Sequence, residues 1–195
     1  MKKHTNKGFT LVELLMVVAI IGLLASILIP TVGTVRENAT IAAGKSQLSQ
    51  YVNAVLQFKN EYGYYPFARG TNDYVIDLSD PAISRAFIEI MSGRDAETGS
   101  SKGVGGNRRR IAFHDFSESE FFVGDDDLPD FTQLADRFNN FNILIMIDGN
   151  GDGFIDPDPK LTYPEKPEQK IRSTITAWVE SGDLDIFPAY TLWEE

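Results

Sequence analysis

The sequence predicts an α+β protein: a long N-terminal helix laid against a small antiparallel sheet. Three observations predict it. An apolar run of about bilayer length opens the chain, an amphipathic stripe carries the same helix on to about Tyr62, and two strand-like runs, Asn142 to Asp148 and Ile171 to Glu180, occupy the C-terminal third. At 195 residues there is room for one globular body and an anchor, but not for two well-cored domains.

Met1 to Lys7 is short, polar and basic. It runs into Gly8-Phe9-Thr10-Leu11-Val12-Glu13 and then sixteen uncharged residues, Leu14 to Ile29. As a helix at about 1.5 Å per residue, Phe9 to Ile29 covers about 31 Å, close to the hydrocarbon thickness of a bilayer. The lysines predict that the N-terminus stays cytoplasmic and that everything beyond Pro30 lies across the membrane. A secretory signal has a shorter apolar core and no carboxylate near its start. A plain anchor leaves Glu13 unexplained, because an ionisable group in a membrane segment costs about 3 kcal/mol. Pro30 and Gly33 are expected to interrupt the helix just past the apolar run, since proline removes a backbone hydrogen bond.

The run GFTLVELLMVVAIIGLLASILIP, Gly8 to Pro30, resembles the prepilin N-terminal cleavage and methylation motif of type IV pilins and type II secretion pseudopilins. The resemblance implies a pilin-like fold, cleavage between Gly8 and Phe9 by a prepilin peptidase, and N-methylation of the new terminus at Phe9. It divides the chain into a cleaved leader (1–8), a transmembrane and filament-core helix (9–30) and a periplasmic body (31–195). Glu13 then gains a role: in low dielectric its carboxylate is driven to pair with the Phe9 ammonium of a neighbouring copy. The plainer alternative is a Glu13 that reaches the headgroups. Pro30 matches the place where the family's helix loosens on assembly, or it marks only the membrane exit.

Beyond Thr31 the pattern stays helical. Leu48, Tyr51, Val52, Val55, Leu56, Phe58 and Tyr62 fall on one stripe, with Lys45, Gln47, Gln50, Lys59 and Glu61 mostly opposite. Gly63-Tyr64-Tyr65-Pro66 closes the helix. The string FKNEYGYYP, Phe58 to Pro66, resembles the end of the helix in major pseudopilins and favours the secretion branch.

Ser92 to Asn107 is rich in Gly and Ser and reads as a mobile surface loop. Arg108-Arg109-Arg110 follows, read as a solvated run paired with acidic neighbours or as a phosphate or partner contact. Ile111 to Phe113 and Glu120 to Val123 are short strand candidates. Asn142 to Asp148 is apolar on both faces and reads as a central strand, whereas Ile171 to Glu180 alternates, as expected of a sheet with one buried face packed on the helix stripe. His114 is the sole histidine outside the leader and makes no site by itself.

Between those strands Asp148, Asn150 and Asp152 supply oxygens at alternate positions, then Gly153, then the carbonyl of Phe154. This is the first half of an EF-hand-type loop. Hard oxygen donors select calcium. The second half departs: Pro159 stands where a bidentate Glu would be, so Asp156, Asp158 or the distant Asp125 to Asp127 must complete the shell. The alternative is a metal-free acidic turn. Calcium-stabilised bodies are a feature of the pseudopilins that the chain resembles.

Of the 18 basic residues, Lys2, Lys3 and Lys7 precede Gly8; the remaining 15 face 28 acidic ones, a balance of −13. A body this acidic repels phosphate backbones, so no nucleic-acid partner is expected. There is no cysteine, which excludes disulfides, thiolate metal sites and a cysteine nucleophile. No nucleophile and base pair stands out, so the reading is a structural subunit and not an enzyme. What the resemblance implies is a pseudopilin polymerised from its own copies. Its further partners would be minor pseudopilins, the prepilin peptidase and an inner-membrane assembly platform. Two rivals remain: a type IV pilus subunit, and a membrane-anchored calcium-dependent binding module that uses the Gly-rich loop with Tyr190 and Trp193.

Overall fold

The computed structural model describes residues 10–193 except 69, 71, 159, 162, 164–168 and 182–186, and at 27–31 it describes the backbone alone. It divides into two compact units, Met1–Ala39 and Thr40–Glu195. Helix α1, Leu11–Tyr62, begins in the first unit and ends in the second.

In the first unit α1 presents exposed apolar side chains from Leu11 to Leu24, and it continues as one helix through residue 30 and Gly33. The interruption expected there does not divide the element. Among the described residues no helix is long and apolar enough to cross a membrane. The expected span also draws on Phe9 and on the side chains of 27–29, which lie outside them.

In the second unit the stripe behaves as its spacing demands. Leu48, Tyr51, Val55 and Phe58 are buried, and Val52, Leu56 and Tyr62 pack against the same core. Gln47, expected on the wet side, is buried instead; its amide nitrogen donates to the Tyr51 hydroxyl and to the Ala135 carbonyl, each at 2.8 Å. The helix ends where Gly63 adopts φ 80° and its N–H caps the Lys59 carbonyl at 2.7 Å.

Strand β1, Tyr74–Asp77, is followed by helix α2, Pro81–Ser92. The Asp80 carboxylate accepts from the Ala82 N–H, Pro81 opens the first turn, and Gly93 at φ 66° closes the last. Strands β2, Phe121–Val123, and β3, Pro129–Leu134, form a separate antiparallel hairpin. Strands β4, Ile143–Ile147, β5, Ile175–Val179, and β6, Tyr190–Thr191, complete a four-stranded antiparallel sheet in the order β1-β4-β5-β6. Strand β4 is inner and wholly buried, as its uniform apolarity predicts. Ile111 to Phe113 forms no strand.

One expectation is overturned by the packing. The sheet is buried on both faces. Ile143, Ile145, Ile147, Ile175, Ala177 and Val179 share a core with α1 and α2, while Leu144, Met146 and Trp178 on the reverse pack with Ile155 and Ile171. Tyr163 and Trp193 lie against Trp178, with ring centroids at 5.0 and 5.7 Å. The alternation in Ile171 to Glu180 marks two apolar faces, one of them carrying a single large ring.

Ser92 to Asn107 is tied down and not free. Asn107 is fully buried: its side-chain nitrogen donates to the Ile90 and Ile111 carbonyls, and its oxygen accepts from the Tyr62 hydroxyl at 2.9 Å. Lys102 bridges Glu89 and Asp95 at 2.8 and 2.9 Å.

Candidate functional site: the helix cap at Glu13 and the acidic loop after strand β4

At the start of α1 the side chains of Thr10 and Glu13 cap one another. The Glu13 carboxylate accepts from the Thr10 N–H at 2.9 Å and from its hydroxyl at 2.7 Å, while the Glu13 N–H donates to the Thr10 hydroxyl oxygen at 3.2 Å. This is a capping box, written in the sequence as Thr-x-x-Glu, a local signal beside the membrane and assembly roles expected of Glu13. In the single chain the carboxylate therefore satisfies donors at the helix's own start. Gly8 and Phe9 lie outside the described residues, and Pro30 does so with respect to its ring.

The loop after β4 is organised by its own carboxylates. Asp148, buried at the end of the strand, accepts from the N–H groups of Gly151 at 2.6 Å and Gly153 at 2.9 Å. Asn150 and Asp152 accept from the N–H groups two positions on, at Asp152 and Phe154. Gly151 and Gly153 take φ 77° and 85°, conformations that a side chain would strain. Asp156 pairs with Lys170 at 2.8 Å, which raises the Lys170 ammonium above its ordinary pKa, and Asp158 accepts from the Lys160 N–H.

Of the carboxylates expected to complete the shell beside Asp156 and Asp158, Asp125 to Asp127 form the tip of the β2–β3 hairpin. Asp73, one residue before β1, is the carboxylate that reaches the loop: its oxygens accept from the N–H groups of Gly149 at 3.1 Å and Asp156 at 2.8 Å. No short-range pattern reveals this, because the contact arises from the pairing of β1 with β4. Asp73, Asn150, Asp156 and Asp158 line an open cleft of about 570 Å³ with Tyr74, Met146 and Leu161. Among the described residues no three His, Cys, Asp or Glu side chains gather into a metal-holding group. The donor chemistry of Asp148, Asn150, Asp152 and Asp73 is nonetheless all hard oxygen, which suits calcium and no softer ion.

Two further groups lie apart from these sites. His114 is half-buried, with Nε2 2.9 Å from Glu120 and its ring edge-on to Tyr51. Tyr190 is buried and donates to Asp136 at 2.8 Å, and the half-buried Trp193 packs in the aromatic cluster with Tyr163 and Trp178.

Comparison with known proteins bears on the first site. Residues 3–29 match the prokaryotic N-terminal methylation motif. The chain is similar to fimbrial protein EcpC of Eikenella corrodens, 25% identical over 112 residues that cover 54% of this chain and 73% of the relative. No solved structure matches. The motif heads a helix that carries its carboxylate five residues past Gly8, and that helix ends against a small antiparallel sheet. On these grounds the chain is a type IV pilin-like protein with a prepilin-type N-terminal motif.

Proposed function

We propose that the chain is a structural subunit of a type II secretion pseudopilus. It is inserted through residues 9–30 with its N-terminus cytoplasmic, cleaved between Gly8 and Phe9 by a prepilin peptidase, methylated at Phe9 and polymerised on an inner-membrane platform with minor pseudopilins. The methylation motif over residues 3–29 carries this reading. The apolar side chains from Leu11 to Leu24 are exposed in the single chain, as a filament core or a bilayer requires. On assembly the Glu13 carboxylate exchanges its Thr10 donors for the Phe9 ammonium of a neighbour, which couples polymerisation to register.

A second reading, a surface fimbria for adhesion, motility or DNA uptake, is favoured by the similarity to EcpC. The string Phe58 to Pro66 favours the secretion branch. Deleting the gene separates them. A pseudopilus subunit leaves exported proteins inside the cell and surface fibres intact, and a fimbrial subunit does the reverse. In either case Glu13→Leu is expected to leave the protein in the membrane and to abolish sheared polymer, and normal polymer from that variant would contradict the reading.

Calcium is a separate proposal. Asp148, Asn150, Asp152, the Phe154 carbonyl and Asp73 would hold it, with Asp156 and Asp158 at the rim, and the ion would cross-link β1 to the loop. Its effect is stability: at calcium a hundredfold above its dissociation constant the gain is about 2.7 kcal/mol. Chelation should therefore lower the melting temperature of the full chain in detergent, and an unchanged melt would remove the ion from the account.

A further inference from the structure

Two surface patches of the body stand largely exposed. The first is the β2–β3 hairpin. Leu128 is 63% exposed, Phe131 43% and Phe141 38%, and Phe141 stands against Phe122 with ring centroids at 5.5 Å. Asp125, Asp126, Asp127 and Asp130 are all exposed around them. The second is Arg108-Arg109-Arg110, the one run of three basic residues in the chain, all exposed. Arg109 reaches Glu61 and is still 70% exposed.

The patches sit at different levels of α1. The hairpin is rooted beside Gln47 and Tyr51, through the Ala135 carbonyl and through Glu120 with His114. The arginines lie beside Tyr62, whose hydroxyl accepts from the Arg109 N–H at 3.2 Å. Eleven residues of helix separate the two levels, about 16 Å. Among the described residues no ion pair joins the exposed aspartates of the hairpin to these arginines.

We propose that the acidic, apolar hairpin of one copy docks on Arg108 to Arg110 of the next. This rests on the filament reading and names the body contact that the filament uses. Chains that carry a balance of −13 beyond the leader repel one another when crowded along a polymer, so a lateral contact needs a local cation facing a local anion. The exposed rings supply apolar area beside the charges, the mixture typical of specific interfaces. Because the two patches differ, the contact is heterologous and propagates without closing.

The test uses full-length chain in cells. Arg108→Glu with Arg110→Glu, and separately Asp125→Lys with Asp127→Lys, should each cut the yield of sheared filament at least tenfold. The four changes combined in one chain should restore it to within twofold. Arg109 and Asp126 are left alone because they bond Glu61 and the Leu128 N–H. Equal melting temperatures establish that the variants fold. As the chain has no cysteine, copies carrying Asp125→Cys mixed with copies carrying Arg108→Cys should yield a disulfide-linked dimer on oxidation, and neither copy alone should. Wild-type filament from both charge-reversed variants, or a combined variant still defective, overturns the docking. Reversed variants that assemble normally but fail in export point the patches at another partner and overturn it too. If Glu13→Leu still abolishes polymer in those cases, the filament reading stands without this contact. If wild-type chain forms no polymer, both fall.

Discussion

Glu120 shows how the body treats a buried charge. Burial by itself would raise its pKa, but the His114 hydrogen bond and the N–H and hydroxyl of Ser117, at 2.9 and 2.8 Å, outweigh it, and the carboxyl ends below its ordinary value. A depressed carboxyl stabilises the fold above its unfolded pKa of about 4.3, and that contribution is lost as pH falls through the folded value. Glu120→Gln should therefore cost about 1.5–3 kcal/mol at neutral pH, the worth of a hydrogen bond to a charged group. Its deficit against wild type should shrink as pH drops from 6 to 3. Urea titrations at several pH values check this, and a deficit independent of pH would show that the charge of Glu120 is not what matters. The comparison is made against wild type because Asp136 and Glu180, raised chiefly by burial, contribute with the opposite sign.

At the scale of elements, the most consequential is β5. Its Trp178 is fully buried on the face away from α1, against Tyr163 and Trp193. Trp178→Ala should destabilise the body by about 3–5 kcal/mol, read as a fall in the urea midpoint without a change in slope. If the reverse face were a wetted surface the loss would be near zero. This is also where legibility stopped. The stripe of α1, its glycine stop and the inner position of β4 could be read because periodicity and uniform apolarity are local signals. The second face could not, since Ile155 and Ile171 reach it only through an antiparallel bridge across the acidic loop. Helix α2 was legible in principle, from Asp80-Pro81 at its start and Gly93 at its end. Asp73 was not, because nothing in the chain before β1 announces that it will meet residues 149 and 156.

For the whole molecule, the organisation follows from one division of labour along α1. From Leu11 to Leu24 its apolar side chains are exposed, and from Leu48 onward they are buried in the body. An exposed apolar helix on an acidic chain is stable only where lipid or other copies cover it, which is what a polymerising membrane subunit provides. The charge balance, the absent cysteines and the motif were all legible in the sequence. The capping of Glu13 by Thr10 adds to that picture a partner for the carboxylate within the chain itself.

The most direct test of the central claim is the mass and N-terminal sequence of this chain recovered from sheared filaments. The account predicts a subunit that begins with N-methylated Phe9 and lacks Met1 to Gly8. Recovery only as an unpolymerised chain that still begins at Met1 would contradict it.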